Sequence, residues 1–245
     1  MKPNVSSALG NLLGCQASVA YRSLLLRHDS VQSANLFVYD APPSMQERIS
    51  VSPAEAGIIA HANDMRAGTG IPFWGALFAT CAVQGRCTGA ILEATFFHNG
   101  QGTPSPVSRA QIKAGILEQA VRGARRTLAL GSRLTGSQGS AGHLGFLDFH
   151  CDVNVANCRI VRDICHTLMP AGFLILDSGG SFHACTTNLL SDDERVTMLA
   201  RALLASPVVD ARYIAHQLMQ DSSSIRISRG GKAGNLPIVV DAWEP

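Results

Sequence analysis

The order of strand and helix signals in the second half of the chain is the feature that most limits how it can fold. Short apolar or alternating runs predict strands, and runs with apolar residues every three or four positions predict helices. From residue 143 the predicted order is strand, helix, strand, strand, helix, helix, strand and strand, at residues 143–153, 158–168, 173–178, 181–186, 192–205, 211–220, 224–228 and 237–241. This β-α-β-β-α order predicts a split βαβ arrangement, in which a later strand lies between two earlier ones.

The predicted fold class is α+β. We expect an RRM-like (split βαβ) palm at residues 143–245, packed with an N-terminal α/β module at residues 1–142, the two interlocked as one unit. Two stretches rich in Gly, Ser and Pro, at residues 100–107 and 131–142, are predicted to be loops.

Three helices have clear start signals. Each begins with Ser and has Glu or Gln three positions later, a pattern in which the two side chains cap the first turn. The starts are Ser52, Ser108 and Ser191. The second helix is predicted to continue without a break to about Val121, because its apolar positions repeat at helical spacing.

Composition excludes several classes of protein. A chain with 46% hydrophobic and 16% charged residues has enough apolar surface to fold, which excludes a disordered chain. Its net charge of +2 is less basic than that of many nucleic-acid binders. The seven cysteines include no Cys-x-x-Cys pair, which argues against zinc-ribbon and thioredoxin-like proteins. The longest apolar run, residues 73–83, is too short to span a membrane, and the N-terminus is a poor signal peptide, so we expect a soluble, cytoplasmic protein.

The first candidate site is the run Asp148-Phe-His150-Cys-Asp152. If the predicted strand continues through it, alternation places Asp148, His150 and Asp152 on one face. Two carboxylates and an imidazole are ligands suited to Mg²⁺ or Mn²⁺. The alternative is a solvated cluster at the end of a strand, which is the commoner situation for charged side chains.

The second candidate is the run Ser178-Gly-Gly-Ser181-Phe-His183. The two glycines allow close backbone approach, so N–H groups of this turn could hold a phosphate. Ser181 and His183 would share one face of the returning strand. The alternative is a plain hairpin with a histidine in the core.

The third candidate is Asp210, after Val208-Val209, together with Arg226 on a later strand. The acid could complete a metal site, and the arginine could neutralise phosphate. Alternatively, Asp210 caps the helix that begins at residue 211. Asp241, after another β-branched run, is a rival for the same role.

Other residues give weaker signals. Arg122, Arg125 and Arg126 form a basic cluster, which is either a solvated helix face or a backbone contact. The chain has no Walker A motif, no Gly-x-Ser-x-Gly and no His-Glu-x-x-His, which argues against P-loop proteins, α/β-hydrolases and zincins.

Taken together, the three candidates resemble the motifs of the archaeo-eukaryotic primase superfamily, the primase-polymerases. That family has an acidic pair after a hydrophobic strand, then Ser-x-His, then a hydrophobic residue followed by Asp. The corresponding residues here are Asp148 with Asp152, Ser181 with His183, and Asp210, and Arg226 is similar to the family's later arginine that contacts the nucleotide. The resemblance covers about residues 143–230, and it departs from the family pattern at His150, where the second acid is expected.

The resemblance implies a template-directed nucleotidyltransferase, a DNA primase or primase-polymerase. Asp148, Asp152 and Asp210 would be the catalytic acids, and together with His150 they would hold two Mg²⁺ or Mn²⁺ ions. Ser181, His183 and Arg226 would bind the nucleoside triphosphate. The implied partners are a single-stranded nucleic-acid template and a helicase or another replication, repair or defence protein, with no membrane.

Two other functions remain open. A catalytically degenerate nucleotide- or DNA-binding scaffold would keep the palm, Ser181 and His183 without a complete metal site. A metal-dependent phosphohydrolase would use Asp148, His150, Asp152 and His183, and it would release phosphate without needing a template.

Overall fold

The computed structural model describes residues 7–39, 52–96, 102–230 and 234–245. The chain forms two compact units, one of residues 41–100 and the other of residues 1–40 with 101–245. The second contains all of the candidate site residues. The division into modules at residue 142 stays a prediction, and that residue lies inside a strand of the larger unit.

The larger unit is built on an antiparallel sheet, which confirms the α+β class. Its strands, numbered along the chain, are β1 Ser33–Tyr39, β2 Thr103–Ser108, β3 Thr127–Gly136, β4 Gly139–Asp148, β5 Phe173–Asp177, β6 Phe182–Leu190, β7 Ser224–Arg226 and β8 Ile238–Trp243. Their order in the sheet is β2-β1-β3-β4-β6-β5-β8, and β7 pairs with β3 beside this path.

Helices of the described residues lie in both units. Those of the larger unit are α1 Ser7–Gly10, α2 Ala17–Arg27, α6 Arg109–Lys113, α7 Ile116–Gly123, α8 Val155–Leu168, α9 Asp192–Ala202 and α10 Ala211–Met219. The smaller unit contains α3 Pro53–Thr69, α4 Phe73–Gln84 and α5 Gly89–Phe96, packed around Ile58, Leu77 and Ile91. No described helix is both long and apolar enough to cross a membrane.

The sheet has a core on each face. One core contains Leu24 of α2, Leu117 of α7 and Phe146 of β4. The other contains Leu147 of β4, Val161 of α8 and Leu199 of α9. Because Phe146 and Leu147 are consecutive, they point to opposite faces, and both faces of β4 are therefore buried.

The strand order contains one split βαβ unit. Helix α8 connects β4 to β5, and β6 lies between these two strands and pairs antiparallel with each. This is the local arrangement that the order of elements predicts. Assignment of the whole palm to the RRM-like class stays a prediction.

The three start signals hold, but the helix predicted from Ser108 is broken. Ser52, Ser108 and Ser191 each cap a helix with the reciprocal side-chain bonds of a capping box. The chain from Ser108 forms α6 and α7 as separate helices, because Gly115 between them has a φ of +82° that interrupts regular helix.

Both stretches predicted to be loops contain strands. Residues 103–108 form β2 at an edge of the sheet, where proline is tolerated because one side of the strand needs no N–H partner. Residues 131–142 form most of the β3–β4 hairpin, whose tight end at Gly136 and Gly139 explains the glycine content.

The strand predicted over residues 143–153 ends earlier, at Asp148. Beyond this point the N–H of Phe149 donates to the Phe182 carbonyl of β6 at 2.9 Å. The chain also bonds with the segment before α10, through a Phe149–Val209 bridge and an N–H of His150 that donates to the Val208 carbonyl at 2.7 Å. The side chain of Asn154 then accepts from the N–H of Asn157 and begins α8. Asp152 therefore does not continue the alternation that begins at Asp148.

Candidate active site

Asp148 and His183 are neighbours at the end of the sheet. Asp148 is the last residue of β4, and it is paired in register with His183 near the start of β6. Nε2 of the imidazole lies 3.5 Å from Oδ1 of the carboxyl group. The His183 side chain is buried, and that of Asp148 is 28% exposed. Sheet pairing therefore places an acid and an imidazole side by side at an accessible edge.

Asp210 is brought to the same place by main-chain bonds. Its N–H donates to the carbonyl of Asp148 at 2.9 Å, next to the Phe149–Val209 bridge. One carboxylate oxygen of Asp210 accepts from the N–H of Tyr213 at 2.9 Å, so this acid also caps α10. The helix-cap interpretation of Asp210 is therefore confirmed, and its role in a metal site stays a prediction for a residue held next to Asp148.

The turn between β5 and β6 leaves two N–H groups free. The N–H and hydroxyl of Ser178 both donate to the Ser181 carbonyl, and the N–H of Gly179 donates to Asp177. Gly179 has a φ of +96°, a conformation that glycine adopts without strain. Within the described residues, the N–H groups of Gly180 and Ser181 have no acceptor. Such a turn can receive an anion through its backbone.

Arg226 reaches this turn from β7. Its Nη2 donates to the Ser178 carbonyl at 2.5 Å, while Nη1 donates to the carbonyls of Ser228 and Asn235 at 2.7 and 2.9 Å. All three acceptors are neutral carbonyl groups. These hydrogen bonds therefore hold the turn in place without cancelling the positive charge of the guanidinium. Pairing of Arg226 with Ala129 of β3 fixes the strand from which the side chain extends.

Burial and the charge of neighbours shift the pKa values of the pair. Burial and the nearby Asp210 raise the pKa of Asp148 to about 8, although Arg226 opposes this shift. Burial, assisted by Arg226, lowers the pKa of His183 to about 3. At neutral pH the free site therefore holds a neutral imidazole beside a carboxyl group that retains its proton.

His150 and Asp152 follow the end of β4, two and four positions after Asp148. Both are exposed, beyond the end of β4, and the carbonyl of Asp152 accepts from the side chain of Asn157 at 2.8 Å. In the described part of the chain, no group of three or more His, Cys, Asp or Glu side chains is arranged to hold a metal ion. Asp241, the rival of Asp210, forms an ion pair with Arg162 of α8 at 3.2 Å.

Two tyrosines that the sequence analysis does not single out flank the acids. The hydroxyl of Tyr213 donates to the Ser224 carbonyl at 2.9 Å, and the hydroxyl of Tyr39 lies 2.8 Å from the Ser224 hydroxyl. Burial and Asp148 raise the pKa of Tyr213 well above its usual value. The cap at Asp210 is a signal for Tyr213, because a cap side chain bonds to the N–H three residues later. No local sequence pattern indicates Tyr39, because strand pairing in the sheet is what places this residue near Ser224.

The chemistry of Asp148 and Asp210 fits a divalent cation that takes some of its ligands from the protein and the others from a substrate. Among the described residues, the buried Oδ1 of Asp148 has no hydrogen-bond partner, and a second carboxylate, Asp210, lies beside it. Two neighbouring acids attract a cation that cancels their repulsion. The assembled protein ligands number fewer than the near-octahedral coordination of Mg²⁺ requires, which leaves positions for phosphate oxygens and water.

Comparison with known families agrees with the site. Residues 114–234 match the family model described as AEP-like, archaeo-eukaryotic primase 1D-like. The matched stretch includes the whole cluster from Asp148 to Arg226. Comparisons with curated proteins and with solved structures gave no match. Through residues 114–234 the chain therefore belongs to the archaeo-eukaryotic primase-like family, as its motifs indicate.

Proposed function

We propose that this protein is a template-directed nucleotidyltransferase of the primase-polymerase type. The observation that carries the proposal is the convergence of Asp148, His183, Asp210 and Arg226, from four separate segments, around a turn with two free N–H groups. Family membership supports the same reaction class.

In the proposed reaction, a hydroxyl oxygen of the primer or first nucleotide attacks the α-phosphorus of a nucleoside triphosphate. A new phosphorus–oxygen bond forms, the bond to the β-phosphate breaks, pyrophosphate leaves, and the hydroxyl proton passes to solvent. The charge that develops lies on phosphate oxygens, so positioning and fixed positive potential are what the protein must supply.

The residues of the turn and of β7 suit the triphosphate. The free N–H groups of Gly180 and Ser181 are donors for phosphate oxygens, and the Ser181 hydroxyl lies beside them. The neutral His183 imidazole can donate a hydrogen bond to the substrate, because its Nδ1 is buried without a partner in the part of the chain that the structure describes. Arg226 contributes positive potential and keeps the turn in position.

Asp148 and Asp210 are the proposed holders of Mg²⁺ or Mn²⁺. When bound, the metal would lower the pKa of the attacking hydroxyl and neutralise the leaving pyrophosphate. Asp152 stays the proposed third acid and His150 a proposed further ligand. Both are exposed and follow the end of β4, so their contribution needs a test separate from that of Asp148.

The test is template-directed extension with labelled nucleotides in Mg²⁺ and in Mn²⁺. We expect incorporation by the wild type, at least a hundredfold loss in Asp148→Ala and Asp210→Ala, and about a tenfold or greater loss in His183→Ala. Asp193→Ala, on an exposed position of α9, is the matched control and should retain activity. Incorporation that survives both Asp148→Ala and His183→Ala would falsify the proposal.

A nucleotide-binding scaffold without turnover is the second candidate. It is favoured by one observation, the absence of a third metal-ligating side chain from the cluster of described residues. A scaffold predicts nucleotide binding that is the same with EDTA as with Mn²⁺, and no incorporation. Asp152→Ala separates the two candidates further, because it lowers incorporation only if that acid joins the site during turnover.

The phosphohydrolase has less support. It requires Asp148, His150, Asp152 and His183 to act together, and within the described residues no three or more such side chains are arranged to hold a metal ion. Release of phosphate from nucleotides without a template would favour it over the polymerase.

A further inference from the structure

Positive charge is concentrated on two chain segments that meet at one edge of the larger unit. Residues 109–126 contain five Lys or Arg and one acid, and residues 224–236 contain three Lys or Arg and no acid. By contrast, residues 191–221 contain three Arg and five acids. The charge of this nearly neutral protein is therefore unevenly distributed.

The fold places the two basic segments next to each other. Arg122 is in the last turn of α7, and Arg125 is in the connection to β3. The start of β3 runs beside the end of β7, where the N–H of Ile227 donates to the Leu128 carbonyl at 2.9 Å. A Cβ at Gly230 would lie 2.7 Å from Oγ1 of Thr127, so the residue after Arg229 packs against the second residue after Arg125. We call Arg122, Arg125 and Arg229 the arginine strip.

The strip is exposed and its charge is not compensated. Arg122 and Arg125 form no ion pair or hydrogen bond with the described residues, and Arg229 donates only to the Gly234 carbonyl, at 3.3 Å. Five other arginines of this unit have acidic partners, in the pairs Arg22–Glu118, Arg27–Glu244, Arg109–Asp29, Arg133–Asp221 and Arg162–Asp241. The strip is thus free to bind an external anion.

The strip is continuous with the candidate site. Arg229 follows Arg226 by three residues, a separation of at most about 10 Å along the chain. Arg226 in turn holds the Ser178 carbonyl of the proposed triphosphate turn. An extended polyanion that enters the site can therefore lie along the strip, since the phosphates of a single strand recur at regular intervals.

We propose that the arginine strip binds the phosphate backbone of single-stranded nucleic acid and guides it to the site. This inference rests on the proposed function, because a template or primer is the polyanion that such a reaction requires. Contacts to the backbone carry no sequence information, so binding is expected to be insensitive to sequence and strongly dependent on salt.

The test is fluorescence anisotropy of a short fluorescein-labelled single-stranded DNA with the full chain, over a series of KCl concentrations. Arg122→Ala/Arg125→Ala should weaken binding about tenfold at low salt and reduce the salt slope by about 0.7 for each phosphate that the variant no longer neutralises. Arg229→Ala should act in the same direction with a smaller effect. The matched control is Arg159→Ala/Arg201→Ala, which removes the same charge from exposed positions on α8 and α9.

Each outcome bears on the strip separately from catalysis. Weaker binding in the strip variants, with the control variant binding as the wild type does, supports the strip even if no extension is ever observed. Equal weakening in both double variants assigns the effect to net charge and overturns the strip. Unchanged binding in the strip variants also overturns it, even when extension still depends on Asp148.

Discussion

The carboxyl group of Asp148 and the imidazole of His183 lie 3.5 Å apart across β4 and β6, and at neutral pH neither is charged in the free protein. Because the pKa of Asp148 is raised to about 8 on folding, the folded state keeps a proton that the unfolded chain loses near pH 4. Stability from this group is therefore fully present at low pH and is lost as the pH rises toward 8.

Asp148→Asn should remove this loss. In EDTA we expect the variant to match the wild type near pH 4 and to exceed it by about 2 kcal/mol near pH 8.5. A pKa change of one corresponds to about 1.4 kcal/mol of unfolding free energy. Partial exposure of the Asp148 side chain makes the total effect smaller than the whole pKa change would give. Urea unfolding at the two pH values measures it, with Asp193→Asn as the exposed control. A variant less stable than the wild type at the higher pH would contradict the assigned shift.

Arg226 should be sensitive even to replacement by lysine. Three carbonyls accept from its guanidinium, and a single ammonium cannot reproduce that fork. We expect Arg226→Lys to cost about 2 kcal/mol of unfolding free energy and to weaken nucleotide binding about tenfold. Calorimetric titration of a nucleoside triphosphate and chemical unfolding check both effects. Arg229→Lys, on an exposed residue of the same segment, should change neither.

His143 should stabilise the sheet although it is remote from the candidate site. It is fully buried, with Nδ1 3.2 Å from the Ser132 hydroxyl and Nε2 2.7 Å from Asp192 at the start of α9. His143→Ala leaves a cavity and unpaired polar groups, so we expect a loss of about 3 kcal/mol. Asp192→Ala should cost less than His143→Ala, because the Asp192 side chain is 56% exposed.

The stability that His143 contributes depends on pH in the opposite direction to that of Asp148. Burial lowers the pKa of His143, so the folded state resists protonation. Stability from this group is present above pH 6.5 and is lost as the pH falls below that value. Unfolding experiments near pH 5 and pH 7.5 should show a smaller acid loss in a His143→Asn variant. An unchanged acid loss would assign it to other groups, of which the buried His183 is one.

Gly145 should not tolerate a methyl group. An added Cβ would lie within 2.8–2.9 Å of Leu190, Thr186 and Met198. Gly145→Ala is therefore expected to destabilise the protein by about 1–3 kcal/mol through overpacking. Gly57→Ala is the contrasting control, because it meets nothing within 4 Å in the middle of α3 and should stabilise that helix by about 0.5–1 kcal/mol. Thermal unfolding of the two variants makes the comparison.

Local signals in the sequence predict local structure well. The capping boxes at Ser52, Ser108 and Ser191 depend on side chains three residues apart, so the sequence alone is enough to place those helix starts. The strands in the Gly-, Ser- and Pro-rich stretches are missed for the converse reason. Residues 103–108 are extended because β1 pairs with them, and that partner lies some seventy positions earlier.

In the candidate site, too, some features are predicted by the sequence and others depend on the fold. The motif order predicts which segments form the site, and the sheet with its main-chain bonds brings Asp148, His183, Asp210 and Arg226 together. The expectation that Asp152 shares a strand face with Asp148 is wrong, because β4 ends at Asp148. Asn154, a good helix cap, is the signal that the extended chain must stop before it.

Since main-chain bonds hold the segments of Asp148 and Asp210 together, the distance between these two positions does not depend on the chemistry of their side chains. Evolution can therefore exchange either acid without dismantling the framework that positions it. A relative that had lost catalysis would retain the same backbone geometry as one that kept it. A substitution at position 148 or 210 would be the only difference between the two.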